Sequence, residues 1–186
     1  MARRFGISWP YRSRTEYHHH DDRDLTDEWQ KEVYEHAANL AYSSGYQNIL
    51  DVGCGSGFKL VQFFEGFNTL GLELACNLDF LKSKYPQRNW GLSDLQATPD
   101  FQPDLVICAD VIEHLTDPDE LLSFLVRLNA GHIVLSSIDP GRSATGVPPE
   151  TRATRENGLR GSFFATFRIH LRWWSTSSPA KIRRHR

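Results

Sequence analysis

The segment Ile49-Leu50-Asp51-Val52-Gly53-Cys54-Gly55-Ser56-Gly57 constrains this chain most, because a short apolar run passes into glycines at every second position. Backbone without Cβ adopts φ > 0 readily and lets a ligand come close. The apolar pattern from Phe58 to Phe64 then predicts a helix that opens from the loop. Strand, glycine loop and helix in that order form a cradle for a nucleotide-type cofactor. A dinucleotide fingerprint needs its third glycine at position 58, which Phe58 occupies. The G-x-G-x-G spacing therefore disfavours NAD and FAD, and a dehydrogenase is a minor alternative.

Around this loop, strand and helix patterns alternate. Strands are predicted at Asn48 to Val52, Thr69 to Leu74, near Trp90, Asp104 to Ala109 and His132 to Ser137. Helices are predicted at Phe58 to Phe64, Asn77 to Lys84 and Pro118 to Asn129. An earlier helix is marked by Leu25, Trp29, Val33, Ala37, Leu40 and Ala41 at helical spacing, with Asp24 or Thr26 as its cap and Gly45 as its end. The rhythm is that of an α/β fold with a doubly wound, mostly parallel sheet and helices on both faces. Ligands bind such sheets outside the carboxyl ends of the central strands, which is where Gly53 to Gly57 falls. After Pro140 the rhythm stops. Pro140 to Arg160 reads as loop, and Phe163 to Trp174 reads as a strand by the alternation of Phe163, Ala165, Phe167, Ile169 and Leu171. Sequence alone thus leaves the carboxyl-terminal edge of the sheet incomplete.

A chain of 186 residues suffices for one domain with a full core. It divides into a polar amino-terminal arm (1–24), a central domain (25–149) and an atypical basic segment (150–186). The net charge of -2 provides no overall attraction to nucleic acid or anionic membrane, but from Thr151 onward eight arginines and one lysine face the single acid Glu156. Cys54, Cys76 and Cys108 are too scattered for a zinc pattern or a disulfide framework and fit a reduced cytoplasm, with Cys54 reading as a small loop residue. No apolar run approaches the roughly 20 residues that span a bilayer. The amino terminus, with Arg3, Arg4, Arg12 and Arg14, lacks the apolar stretch of a secretory signal. A cytoplasmic protein is expected. The cluster His18-His19-His20-Asp21-Asp22 reads as a solvated arm rather than a metal site, since consecutive side chains point in different directions, and no metal is required elsewhere. Nothing in the sequence sets an oligomeric state.

With its flanks, the glycine segment resembles motif I of the class I S-adenosylmethionine-dependent methyltransferases, a strand followed by D-x-G-x-G-x-G, and Asp51, Gly53, Gly55 and Gly57 match it. The run Asp110-Val111-Ile112-Glu113-His114-Leu115, after the strand that starts at Asp104, resembles the post-strand motif of the small-molecule members related to ubiquinone and glycan-pathway enzymes. The resemblance spans roughly Leu25 to Asp139 and implies a Rossmann-like fold with S-adenosylmethionine as cofactor. Glu73, at the end of the second strand, stands where an acid accepts from both ribose hydroxyls, the alternative being a solvated strand-end carboxylate. The resemblance also makes Asp94 the acceptor from the adenine amino group, Leu95 a surface for the ring, and Asp110 a cofactor-binding residue.

His114 and Glu113 are candidates for taking a proton from an attacking hydroxyl, amine or enol. The alternative is that His114 braces the next helix while the proton passes to water. His36 and His132 read as structural. The implied reaction is an in-line displacement by an O, N or C nucleophile of a small molecule or a sugar or lipid precursor, with the protein supplying alignment and removal of water. Tyr17 and Trp29 are placed to fold over the cofactor as part of a lid.

Beyond Pro149 the resemblance fails, because the expected helix and two further strands give way to arginine-rich sequence. Read one base earlier, codons for residues 150–159 can encode Asn-Pro-Arg-His-x-Arg-Glu-Trp-Thr, a peptide similar to the family's continuation. A frameshifted or diverged terminus is therefore one expectation, and a catalytically inactive cofactor-binding remnant is the matching alternative function. A further alternative is an RNA-directed methyltransferase whose tail, with Arg168, Arg172, Trp173, Trp174, Lys181, Arg183 and Arg184, combines phosphate attraction with base stacking.

Overall fold

The computed structural model describes residues 30–138 and the strand at 162–168. The polar arm with its histidine cluster, the expected caps Asp24 and Thr26, the lid residues Tyr17 and Trp29, the shifted-frame segment 150–159 and the tail past residue 168 lie outside the described residues.

Six strands form one sheet: β1 (Asn48–Val52), β2 (Asn68–Glu73), β3 (Asn89–Leu92), β4 (Leu105–Ala109), β5 (His132–Ile138) and β6 (Ser162–Arg168). Their spatial order is β3-β2-β1-β4-β5-β6. The first five run parallel, and β6 lies antiparallel to β5 at the edge where the alternation after Phe163 predicts a strand. Leu105–Ala109 is buried at every position, the continuous apolar run expected of a parallel strand covered on both faces. From β1 the chain winds outward through β2 and β3, then returns to β4 on the other side of β1. The carboxyl ends of β1 and β4 thus flank a topological switch point.

The helices are α1 (Lys31–Ser44), α2 (Phe58–Phe63), α3 (Ala75–Lys84) and α4 (Pro118–Arg127). Side chains alternate across β1. Ile49 joins Leu105, Ile107 and Val134 against Tyr34, Ala37 and Ala41 of α1 and Leu60 of α2. Leu50 and Val52 join Val106, Cys108 and Ile133 against Leu121, Phe124 and Leu125 of α4. Local chemistry sets the helix ends. Asp117 caps α4 by accepting from the Asp119 amide at 3.0 Å, and Pro118 follows in the first helical position. Gly45 closes α1 in the left-handed region, as expected.

Within the described residues α1 begins at Lys31, with Gln30 at φ 60° in the cap position, and the expected start near Leu25 lies outside them. The Gln30 side chain is committed elsewhere, as described below. Trp90 of β3 packs directly on the neighbouring backbone: a Cβ on Gly71 would lie 2.5 Å from its ring and 2.8 Å from Cys54 Sγ, and one on Gly57 would lie 2.7 Å from the same ring. Among the described residues no helix is long and apolar enough to cross a membrane.

Candidate active site

At the carboxyl end of β1 the three loop glycines all have positive φ: 76° at Gly53, 56° at Gly55 and 69° at Gly57. The Gly53 and Cys54 amides donate to the Leu72 carbonyl at 2.9 and 3.2 Å, which lays the loop against the end of β2. Glu73 completes the attachment. Its Oε2 accepts from the Gly55 amide at 2.6 Å and its Oε1 from the Leu74 amide at 2.7 Å. A carboxylate only 5% exposed requires such bonds.

The first turn of α1 reaches the same edge. The Tyr34 hydroxyl donates to Asp51 Oδ2 at 2.8 Å, and both residues are buried. Gln30 Nε2 donates to the Ala109 carbonyl at 3.2 Å and to Asp110 Oδ2 at 3.0 Å. From the other side, Ser136 Oγ donates to Asp110 Oδ1 at 2.6 Å, while the Asp110 amide donates to the Ser136 carbonyl at 3.2 Å. Asp110 has φ 54°, so two left-handed non-glycine residues, Gln30 and Asp110, hold one another. Such strain, of order 1–3 kcal/mol per residue, persists where neighbours over-determine the geometry, and it clusters at functional sites. Both Asp110 oxygens accept bonds from the protein, which suits it to fixing the path of the segment after β4.

That segment continues into a 3₁₀ turn, Ile112–His114, closed by the His114 amide donating to the Val111 carbonyl at 3.0 Å. Glu113 and His114 are half-buried. Val111 touches the glycine loop, since a Cβ on Gly53 would lie 2.4 Å from Val111 Cγ2. Asp51, Gly53, Gly55, Gly57, Glu73 and Asp110 therefore belong to one connected edge, with Glu113 and His114 on the segment that abuts it. Asp94 and Leu95 stand farther out. Asp94 is exposed and accepts from the Gln96 amide at 2.8 Å, and Leu95 packs against the core on the α4 face. Their tie to the edge is the Ser93 amide, which donates to the Glu73 carbonyl at 2.8 Å.

Sequence reasoning missed Gln30, Tyr34, Lys59 and Ser136. For Tyr34 a signal existed: it lies three residues before Ala37 on the face that α1 buries. A cavity of about 660 Å³ opens at the opposite end of the sheet beside Gln62, Asn68, Arg88 and Asn89. Its Arg88 guanidinium donates to the carbonyls of Val61, Phe64 and Phe67, so the cavity has no part in this edge.

Cys108 lies buried beneath the site. Burial first, then the negative charges of Asp51, Glu113 and Asp110, push its thiol well above the ordinary range. It stays neutral and poorly nucleophilic near pH 8. In native protein a maleimide is expected to label Cys76, which is exposed, while Cys54 and Cys108 react only after denaturation; labelling of Cys108 at native pH, read by peptide mass, would contradict this burial. Because the folded-state value is raised, the associated stability is complete below the ordinary thiol range and is lost as pH rises toward the folded value.

A family described as "Methyltransferase domain" matches residues 17–182. The chain belongs to the methyltransferase domain family. Curated relatives include the ubiquinone biosynthesis O-methyltransferases of Rickettsia bellii, 32% identical over 105 residues, and of Rickettsia akari, 30% identical. The match covers 52% of this chain but 44% of the Rickettsia bellii protein, so the chain spans less than half the length of that relative. Among solved structures, an S-adenosylmethionine-bound amino pentose methyltransferase from Micromonospora echinaspora, involved in calicheamicin biosynthesis, is 25% identical with a TM-score of 0.54, covering 67% of this chain and 57% of its own. The plantazolicin methyltransferase BpumL, solved with SAH, is 16% identical with a TM-score of 0.53 over 63% of this chain and 50% of its own, a likeness of fold. The sheet described above is the Rossmann-like sheet of class I methyltransferases.

Proposed function

We propose that this methyltransferase domain binds S-adenosylmethionine across the Gly53–Gly57 loop and transfers its methyl group to an O, N or C nucleophile of a small molecule or a sugar or lipid precursor. The observation that carries the reading is Glu73, a buried carboxylate bonded to the Gly55 amide at a topological switch point. The glycine-rich loop beside it fits an adenosine at close range. The names of the Rickettsia relatives favour an oxygen acceptor, and the amino pentose enzyme extends the class to sugars.

When bound, the cofactor supplies an electrophilic methyl group on a sulfonium. The chain's own residues hold and align it. Asp51, Gly53, Gly55 and Gly57 shape the loop, Glu73 receives the ribose, Asp94 and Leu95 take the adenine, and Asp110 fixes the edge between cofactor and acceptor. Glu113 and His114 receive the acceptor's proton. Alignment in a near-attack geometry and exclusion of water are the main contributions such a site makes.

Calorimetric titration with S-adenosylmethionine tests the cofactor reading. Saturable binding is expected for the unaltered chain and none for Gly55→Arg, whose side chain would enter the loop. Circular dichroism of both proteins separates loss of the site from loss of the fold. An absence of binding by well-folded unaltered protein would overturn the proposal.

A further inference from the structure

Gln30 has a backbone conformation and a side chain that its own helix does not call for. Among the described residues only Gln30, Asp110 and Asn129 have positive φ without being glycine. Asp and Asn enter the left-handed region with help from their short polar side chains, which a glutamine lacks. A serine, threonine, aspartate or asparagine at this helix start would also cap α1, whereas Gln30 forms no side-chain cap. Local chemistry therefore does not explain a glutamine at this position.

Its partners do. The Gln30 side chain faces two acceptors, the Ala109 carbonyl at 3.2 Å and Asp110 Oδ2 at 3.0 Å, so the position requires two hydrogens on one nitrogen. From β5, the Ser136 hydroxyl donates to Asp110 Oδ1 at 2.6 Å, and the same hydroxyl oxygen accepts from the Asp110 amide at 3.1 Å. Asp110 is thus held from α1 and from β5 together. One residue on, Val111 meets the glycine loop at Gly53, and Glu113 and His114 follow in the 3₁₀ turn. We infer that Gln30 is a positioning residue for methyl transfer: through Asp110 it fixes the segment that carries Glu113 and His114 against the Gly53–Gly57 loop. This inference rests on the role given to Glu113 and His114 under the proposed function. Gln30 acts through Asp110 and not on the reacting atoms.

Exchanging donor and acceptor in the full chain tests it. Gln30→Glu sets two carboxylates face to face; adding Asp110→Asn restores one bond with the roles reversed, since the asparagine nitrogen donates to the new carboxylate while its oxygen still accepts from Ser136. Hydrogen exchange over residues 109–115, read by mass spectrometry, should quicken about tenfold or more in Gln30→Glu, the loss expected of a hydrogen bond to a charged group. Most of the protection should return in the double variant. Methyl transfer from radiolabelled S-adenosylmethionine to catechol should lose about 10–100-fold in kcat in Gln30→Glu, the effect of a misplacement of about 1 Å, with the KM for S-adenosylmethionine within about twofold. Exchange over 109–115 that Gln30→Glu leaves unchanged overturns the inference. So does a rise spread over the whole chain that Asp110→Asn does not relieve, which would make Gln30 a residue of stability only, or a local rise without loss of kcat. Failure of folded, unaltered protein to bind S-adenosylmethionine in the calorimetric titration overturns the cofactor reading, and the role in transfer with it, even where exchange responds as expected.

Discussion

If His114 takes the acceptor's proton, replacing it with alanine is expected to slow methyl transfer to a hydroxyl acceptor by about 10²–10⁴-fold, the usual contribution of a positioned proton acceptor. The dissociation constant for S-adenosylmethionine should stay within about twofold, because the loop that would hold it makes its bonds through Glu73 and Leu72. The turn carrying His114 is held by its backbone, through the His114 amide to Val111 and the Leu115 amide to Ile112, at 3.0 and 3.3 Å. Truncating the imidazole thus leaves these backbone bonds in place. Upstream, the bonds from Gln30 and Ser136 to Asp110 keep the segment in register with β4 and β5. A parallel Glu113→Gln variant assigns the proton: a deeper loss there would move the role to the carboxylate. Radiolabelled methyl transfer to a catechol gives the rates. Unchanged turnover in both variants, with only a lower melting temperature for His114→Ala, would leave His114 as a brace and send the proton to water.

The legible parts of this molecule were those that local chemistry dictates. Asn48–Val52 and the strand ending at Ala109 lie in a sheet covered on both faces, so they show as apolar runs ending at Gly53 and Asp110. The loop glycines were legible because left-handed backbone at three alternate positions selects that residue. Contacts distant in sequence left no such trace. Gln30 is a polar residue near a helix start, and its function arises from bonds to Ala109 and Asp110, about 80 residues away. Lys59 lies inside an apolar helix pattern, and its burial arises where α2 meets Tyr34 of α1. Ser136 resembles any small strand residue until β5 brings it to Asp110.

Gly53→Ala is expected to destabilise the domain by roughly 2–5 kcal/mol, a shift of roughly 5–15 °C in melting temperature. Two physical causes add. At φ 76° an alanine meets the left-handed penalty of about 1–2 kcal/mol. Its Cβ would also lie 2.4 Å from Val111 Cγ2, and a β-branched side chain has few rotamers with which to withdraw. The overpacking adds about 1–3 kcal/mol. Gly66 provides the control, since it has φ 82° and open space where a Cβ would go, so Gly66→Ala reports the backbone cost alone. Adding Val111→Ala to Gly53→Ala should recover the steric part and leave the backbone part, and a double-mutant cycle measures the coupling directly. The contact matters for function because it presses the glycine loop against the segment that carries Glu113 and His114. If Val111 yields to the new methyl group, that segment shifts and turnover falls more than cofactor affinity; if the loop yields, affinity falls first. A Gly53→Ala protein no less stable than Gly66→Ala would mean that the two segments do not press on one another, and the site would lose the contact that couples cofactor binding to the position of its proton acceptor.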